Sequence, residues 1–167
     1  GLMFPEEDML GVDIVIPDFS YLRLNRERIK ALLVTHGHED HIGAIRHVID
    51  QIPAPIFATP LTLGLIEVKL ARHGMANKAD LRRVQAGETV QIGPFKVEFI
   101  HVCHSIPDGV GLGITTPAGL VIHTGDFKFD HTPVDGWPTD YAKLAELSSR
   151  GVDLLLADST NAERQGW

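Results

Sequence analysis

The chain has 167 residues, which is enough for one domain with its own hydrophobic core. It has 44% hydrophobic and 22% charged residues, typical of a globular α/β protein, and no apolar run nears the roughly 18 residues of a membrane-spanning helix, which excludes a membrane protein. The net charge of −7 argues against a freestanding basic nucleic-acid-binding protein, but it leaves open an enzyme that meets phosphate groups through bound cations. The single cysteine, Cys103, excludes an intramolecular disulfide framework and favours a reducing compartment.

The first half of the chain predicts alternating strands and helices. Short apolar runs predict strands at residues 12–16, 31–35 and 55–59. Helical spacing of apolar residues, or a polar and helix-favouring composition, predicts helices at residues 25–30, 42–52 and 60–74. Asn25 is a candidate N-cap for the first helix, whereas Pro60 and Gly74 suit the start and the end of the third.

The second half of the chain is richer in predicted strands. Alternation and apolar runs predict two or three antiparallel strands at residues 83–101, and single strands at residues 110–116, 120–124 and 152–157. Gly87 and Gly93 interrupt the first stretch, residues 117–119 form a turn, and residues 141–150 predict a helix. This order of elements favours a layered α/β architecture with a mixed sheet.

One short stretch, THGHEDHIGA at residues 35–44, concentrates metal-binding side chains. His36 and His38 are two positions apart, so at the end of an extended strand their side chains point the same way. Asp40 and His41 follow on the turn into the next helix and would face the same cavity from another direction. The spacing predicts two adjacent metal ions, one held by the histidine pair and the other by Asp40 and His41. Imidazole and carboxylate without thiolate suit Zn²⁺ or Mn²⁺ in an open catalytic site.

A chance cluster in a loop is the alternative, but such a pattern arises by accident on the order of once in a thousand comparable sequences. Two later residues are candidates to complete the site, since His104 and Asp126 each come soon after a predicted strand. Ligands at the ends of different strands converge on one edge of a sheet. A carboxylate such as Asp126 can bridge two cations roughly 3.5–4 Å apart.

The other histidines are predicted to have structural or supporting roles and not to bind metal directly. His47, His73 and His131 are predicted to be surface or structural residues, whereas His101 and His123 lie within strands and suit core or supporting roles. Cys103 is predicted to be a small buried hydrophobic residue. Lys128 could contact an anionic substrate or pair with a ligand carboxylate, and the sequence leaves both alternatives open.

In order and approximate spacing, the residues His36, His38, Asp40, His41, His104 and Asp126 resemble the ligand pattern of the metallo-β-lactamase superfamily. Longer stretches are similar to the ribonuclease J family, nucleases of the β-CASP branch: GLMFPEEDMLGVDIVIPD, THGHEDHIGA, CHSIPDGVG, TGDFKFDHTPVDG and LLADSTNAER. The resemblance covers essentially the whole chain.

This resemblance implies an αββα sandwich with a metal cluster at the sheet edges. It implies that one zinc ion is held by His36, His38 and His104, the other by Asp40 and His41, and that Asp126 bridges them, with Mn²⁺ or Mg²⁺ as alternative metals. Asp40 and Asp126 would also act in catalysis, Asp40 by positioning the attacking water. Asp158 matches the acidic residue at which the β-CASP insertion is entered, where it would orient a ligand or the water.

The resemblance further implies a cytoplasmic, homo-oligomeric enzyme without a membrane segment. The family cleaves single-stranded RNA internally and from a 5′-monophosphate end, in the processing of ribosomal RNA and other transcripts and in mRNA decay. The first strands of its sandwich would precede residue 1, and a β-CASP domain, a C-terminal domain and a late histidine ligand would follow residue 167. Residues 1–167 are therefore expected to be part of a metallo-β-lactamase domain, one metal ligand short, that binds metal poorly and is inactive alone.

Two rival functions share part of the pattern. Thioesterases of the glyoxalase II type and β-lactam hydrolases also carry the first histidine motif, but they have a Gly-His-Thr-like turn where this chain has Ser105 and Ile106 after the third histidine. The other rival is an inactive structural or RNA-scaffold role. Every ligand position within the chain is filled, which favours the enzyme.

Overall fold

The computed structural model describes residues 1–160 and 162–165 of the chain. The helices are α1 (Ser20–Leu24), α2 (Glu39–Ile42), α3 (Ile45–Val48), α4 (Pro60–Arg72) and α5 (Tyr141–Ser149), with a 3₁₀ helix at Arg26–Arg28. The strands are β1 (Leu32–Leu33), β2 (Ile56–Ala58), β3 (Leu81–Arg83), β4 (Thr89–Ile92), β5 (Phe95–His101), β6 (Val110–Thr116), β7 (Gly119–His123) and β8 (Leu154–Leu156). Among the described residues, no helix is both long and apolar enough to cross a bilayer.

The strands form two sheets with different topology. The first sheet is parallel with the order β1-β2-β3, and Leu33 is opposite Phe57. The second has the order β4-β5-β6-β7-β8, antiparallel up to β7 and parallel between β7 and β8. Strands β5, β7 and β8 therefore run in the same direction, so their carboxyl ends meet at one edge of the sheet.

The core has three apolar layers. The first lies between the first sheet and helices α2 to α4, the second lies between the two sheets, and the third lies between the second sheet and α5. Phe99 and Ile100 are neighbours in β5 and are both buried, yet Phe99 packs between the sheets and Ile100 packs toward α5. Successive side chains of a strand point to opposite faces, so β5 is covered on both sides. The resulting helix–sheet–sheet–helix order confirms the predicted layered α/β architecture.

Helix α4 confirms its prediction closely. It begins at Pro60, in the first turn where a missing N–H is harmless, and ends at Arg72 just before Gly74, whose φ is +68°. Its buried residues recur at helical spacing: Thr62, Leu63, Ile66 and Leu70. Each fully buried Leu or Ile side chain stabilises the fold by about 1.5–3 kcal/mol relative to an exposed one.

Other predicted elements were wrong or had different bounds. Residues 12–16 form no strand; only Val15 pairs, in an isolated antiparallel bridge with Met3. Asn25 does not cap the helix that follows it, because its side-chain Nδ2 donates back to Tyr21 O in α1. The helix predicted at residues 42–52 is two short helices that begin earlier, at Glu39. The stretch at residues 83–101 contains the antiparallel pair β4–β5, but Arg83 ends the parallel strand β3 of the other sheet.

Candidate metal centre

The first group of site residues lies where β1 passes into α2. His36 and His38 occupy extended chain after the strand, and Asp40 and His41 lie within the single turn of α2. Gly37 lets this segment lie against α4, since a Cβ on Gly37 would come within 2.5 Å of Leu65 Cδ1.

The second group comes from the edge where β5 and β7 end. His104 follows β5 and Asp126 follows β7. Val110 N donates to Thr35 O at 2.9 Å, which joins the start of β6 to the end of the first sheet beside the site. Gly125 turns the chain into Asp126 with φ +61°, and a Cβ there would come within 2.9 Å of Val110 O. Only glycine fits this turn without strain.

Among the described residues, two sets of three side chains bring their ligand atoms within 4.8 Å of one another: His36, His38 and His104, and His36, His41 and Asp126. Within the first set, His38 Nδ1 lies 3.1 Å from His104 Nε2. These distances allow imidazoles from both sheets to face one cation.

Asp126 lies between the histidines of both sets. Its Oδ1 is 3.3 Å from His41 Nε2, whereas its Oδ2 is 3.6 Å from His104 Nε2 and 3.8 Å from His36 Nε2. The two carboxylate oxygens thus face different histidines, an arrangement that suits a carboxylate shared between two cations.

The surroundings of His36 indicate whether these residues fit a metal ion. Its side chain is 1% exposed, its Nδ1 shares a hydrogen bond with Thr35 Oγ1 at 3.1 Å, and its buried Nε2 has no hydrogen-bond partner within the described part of the chain. Burial, together with the neighbouring imidazoles of His41 and His104, lowers the pKa of His36 to about 3. A neutral imidazole with an unpaired buried nitrogen is the form that binds a cation.

The pKa of His104 is also lowered, chiefly by burial and against the opposing effect of Asp126. The donors that meet here are neutral imidazole nitrogens and one carboxylate, which suit a divalent transition metal. The residues therefore fit a metal cofactor.

Asp40 lies at the margin of this arrangement. Its side chain is 65% exposed, and its Oδ2 is 3.5 Å from His41 Nε2. It belongs to neither converging set among the described residues. Its exposure leaves it accessible to solvent.

Lys128 pairs with Asp130 at 2.9 Å, so the carboxylate that it contacts is not one of the candidate ligands. Asp158 N donates to Thr124 Oγ1 at 3.1 Å, and its Oδ1 accepts from Thr160 N at 2.8 Å. The hydrogen bonds with Thr160 lower the pKa of Asp158, and the nearby imidazole of His104 adds a smaller effect in the same direction. Asn161, which belongs to the last quoted motif, lies outside the described residues.

The remaining histidines do not join the centre. His101 is buried, stacks on Trp137 with ring centroids 3.8 Å apart, and has its Nδ1 3.0 Å from Pro138 O. His123 Nδ1 accepts from Gly125 N at 3.0 Å and so supports the turn before Asp126. His47, His73 and His131 belong to neither converging set, and Cys103 is buried as predicted.

Two threonines that the sequence pattern did not point to, Thr35 and Thr124, support the site. Thr35 contacts His36, and Thr124 Oγ1 both donates to Gly125 O and accepts from Asp158 N. Both are adjacent to glycine or histidine in the metal motifs, but a hydroxyl beside a ligand gives no distinctive pattern in a single sequence.

Comparison with known proteins identifies the family of the chain. A family profile for the metallo-beta-lactamase superfamily matches residues 6–158. Ribonuclease J of Synechocystis sp. is 51% identical over 168 residues, covering 99% of this chain and 26% of the relative. Ribonuclease J of Helicobacter pylori (strain ATCC 700392 / 26695) is 47% identical over 167 residues, covering 99% of this chain and 24% of the relative. The chain thus spans about a quarter of the length of these curated relatives.

A solved structure carries the same fold. The metallo-beta-lactamase fold protein YhfI from Bacillus subtilis superposes with a TM-score of 0.51 at 19% identity, covering 64% of this chain and 44% of the other. The profile match spans most of the sequence and includes all six candidate ligands. The chain therefore belongs to the metallo-β-lactamase superfamily.

Proposed function

We propose that this chain provides the metal-binding part of a ribonuclease that hydrolyses RNA phosphodiester bonds. The observation that carries the proposal is the position of Asp126 between two sets of histidines, which suits a two-metal hydrolytic site. Two relatives that match across 99% of this chain bear the name ribonuclease J, and that name supports RNA as the substrate.

We assign the ligands as follows. One zinc ion would be held by His36, His38 and His104, the second would be held by His41 and Asp40, and Asp126 would be shared by both. The first set is supported by the convergence of its three imidazoles, and the shared role of Asp126 by its distances to both sets. Zn²⁺ suits these nitrogen and oxygen donors, and Mn²⁺ or Mg²⁺ are alternatives.

When bound, two divalent cations lower the pKa of water and offset the negative charge that develops on phosphate oxygens. The chain itself supplies ligands in the correct protonation state, because burial keeps His36 and His104 neutral near pH 7. Asp40 is exposed and can accept a hydrogen bond from the attacking water. That hydrogen bond would position the water for in-line attack on phosphorus. Asp158 lies within electrostatic reach of His104 and His41 and helps to orient the ligands.

The substrate that we propose is single-stranded RNA with a 5′-monophosphate, cleaved internally and from its 5′ end in rRNA processing and mRNA decay. A chain with net charge −7 needs cations to meet a polyanion, and the metal centre provides them. The cytoplasmic location and a homo-oligomeric state are part of the same proposal, as is the assignment of residues 1–167 to part of a larger metallo-β-lactamase domain.

The decisive experiment compares two substrates on the full-length protein loaded with Zn²⁺ or Mn²⁺. One is a single-stranded RNA with a 5′-monophosphate, assayed beside its 5′-hydroxyl counterpart, and the other is a glutathione thioester. We expect RNA hydrolysis that a chelator abolishes, and no thioester turnover. Thioester hydrolysis without RNA cleavage would replace the proposal with a thioesterase of the glyoxalase II type, and metal binding without either activity would favour a structural role.

A further inference from the structure

The loop that carries His104 contains a strained residue. Residues 102–109 connect β5 to β6, and Asp108 has φ +65°, the only positive φ of a non-glycine residue in the described part of the chain. Aspartate tolerates left-handed backbone better than most residues, yet the conformation still costs free energy. Such a conformation persists only where surrounding contacts hold it.

Two hydrogen bonds to the start of α4 hold Asp108. Its Oδ2 accepts from Leu61 N at 3.0 Å, and Thr59 Oγ1 donates to Asp108 O at 2.8 Å. Thr59 is the N-cap residue of α4, but its own side chain makes no capping bond. Asp108 therefore caps α4 from another part of the chain, and its negative charge is favourable beside the helix N-terminus.

One turn further along, α4 touches the first histidine segment. A Cβ on Gly37, which separates His36 from His38, would lie 2.5 Å from Leu65 Cδ1 of α4 and 3.5 Å from Ile106 Cδ1 of the His104 loop. The first two turns of α4 are thus a common support for the two segments that carry the three imidazoles. The other side of the loop is anchored separately, because Cys103 N donates to Thr139 Oγ1 at 2.9 Å.

We propose that Asp108 is a positioning residue for the metal centre. By capping α4 while its backbone stays left-handed, Asp108 sets the distance from His104 to His36 and His38. The inference rests on the proposed function in one respect, that these histidines bind a metal ion. It adds a residue that belongs to neither converging set of described ligands and acts through the loop.

The experiment measures metal affinity in the full-length protein. Asp108→Ala removes the cap and disfavours the left-handed backbone, whereas Asp108→Asn retains a side-chain acceptor and tolerates that backbone. The matched control is Asp140→Ala, because Asp140 Oδ1 caps α5 by accepting from Lys143 N at 2.9 Å. Competition with a chelator gives the Co²⁺ affinity, and the visible spectrum of the Co²⁺ form reports the ligand geometry.

We expect Asp108→Ala to weaken Co²⁺ binding about tenfold, as changes beside metal ligands commonly do, and to alter the spectrum. Asp108→Asn should stay within about twofold of wild type, and Asp140→Ala should lower thermal stability without changing metal affinity. Asp108→Gly relaxes the backbone but lacks the cap, so it should lose affinity as Asp108→Ala does and serves if the alanine variant fails to fold.

Wild-type affinity in both Asp108→Ala and Asp108→Gly would overturn the proposal, because it would show that the Cys103 anchor alone fixes His104. Equal losses in Asp108→Asn and Asp108→Ala would also overturn it, since asparagine preserves the proposed geometry. Failure of the wild-type protein to bind metal would instead contradict the proposed function.

Discussion

Two clusters of ionisable side chains meet the second sheet. They differ in whether the protein itself provides hydrogen-bond or charge partners for their buried polar atoms. In the metal centre, His36 is 1% exposed and its Nε2 has no hydrogen-bond partner among the described residues. In the ion-pair cluster, which comprises Glu98, Lys143, Glu146 and Arg150, the Glu98 side chain is 3% exposed and both of its oxygens are paired.

The ion-pair cluster joins α5 to β5. Glu98 Oε2 accepts from Arg150 at 2.8 Å, and Glu98 Oε1 lies 2.7 Å from Lys143 Nζ. The hydrogen bond from Arg150 is the largest effect on Glu98, and with Lys143 it outweighs burial and lowers the pKa of Glu98 to about 2. Leu147, on the same helix, is fully buried against Gly113 of β6.

The contrast separates a structural cluster from a candidate functional one. A buried charge is tolerated when counter-charges and hydrogen bonds satisfy it, and removing one partner of such a cluster destabilises the fold. A buried nitrogen without a partner costs about 1–3 kcal/mol, which a bound cation offsets. We therefore expect changes in the metal centre to alter activity and metal-dependent stability, and changes in the ion-pair cluster to alter stability alone.

The largest expected effect is on turnover in the metal centre. Asp126→Ala or His38→Ala in the full-length protein should lower kcat/KM for RNA by at least about 10³-fold while circular dichroism shows a retained fold, because each removes a candidate ligand. The control is His73→Ala, which removes an exposed histidine at the end of α4. Near-normal turnover in either variant would refute the ligand assignment.

Removal of the metal should have the next largest effect. At a free Zn²⁺ concentration of 100–1,000 times its Kd, the bound form gains about 3–4 kcal/mol of unfolding free energy, which a chelator abolishes. Urea denaturation with and without chelator measures this difference. The difference should shrink in Asp126→Ala, which removes the proposed shared ligand, and persist in Glu98→Gln. If Glu98→Gln also lost it, the two clusters would not be independent.

Glu98→Gln should lower the unfolding free energy at pH 7 by about 2 kcal/mol, because it leaves Arg150 and Lys143 without their buried counter-charge. The folded pKa of about 2 lies below the ordinary value of 4.5, so the wild-type contribution is present above pH 4.5 and is lost as pH falls toward 2. Denaturation of both proteins between pH 7 and pH 2 tests this, and the two curves should converge at low pH.

The matched control for that variant is Glu27→Gln, because the Glu27–Arg26 pair is exposed and should contribute nothing measurable. A difference between Glu98→Gln and wild type that stayed constant down to pH 2 would show that the charge of Glu98 is not the source of the stabilisation.

The smallest expected effect concerns Lys128. Lys128→Ala should raise KM for RNA about two- to threefold without changing stability. The slope of the logarithm of the RNA-binding constant against the logarithm of salt concentration should fall by the amount that corresponds to one phosphate contact. Lys78→Ala is the matched control, since Lys78 is 53% exposed and pairs with Asp50 at 3.0 Å, whereas Lys128 is 54% exposed and pairs with Asp130 at 2.9 Å. Equal KM values for the two variants would mean that Lys128 serves only the ion pair.

Several features could be predicted from the sequence because they depend on neighbours within a few residues. The apolar run before His36 and His38 predicted that both residues follow a strand, and Pro60 marked the first residue of α4. Where local signals were weak, the predictions were wrong: residues 12–16 form only one bridge, and the side chain of Asn25 turns back toward α1. An apolar run or a capping residue is compatible with more than one partner.

The sequence by itself determined which ligand atoms are available and on which elements they lie, because spacing and helix signals are local properties. Only the tertiary structure decided that Asp126 lies among three histidines, and that Asp108 caps a helix whose first turn is 47 positions away. It likewise decided that Glu98 pairs with Arg150, 52 positions along the chain. These contacts arise where strand ends from two sheets and a helix terminus pack together. No pattern within a few residues of sequence predicts contacts between such distant segments.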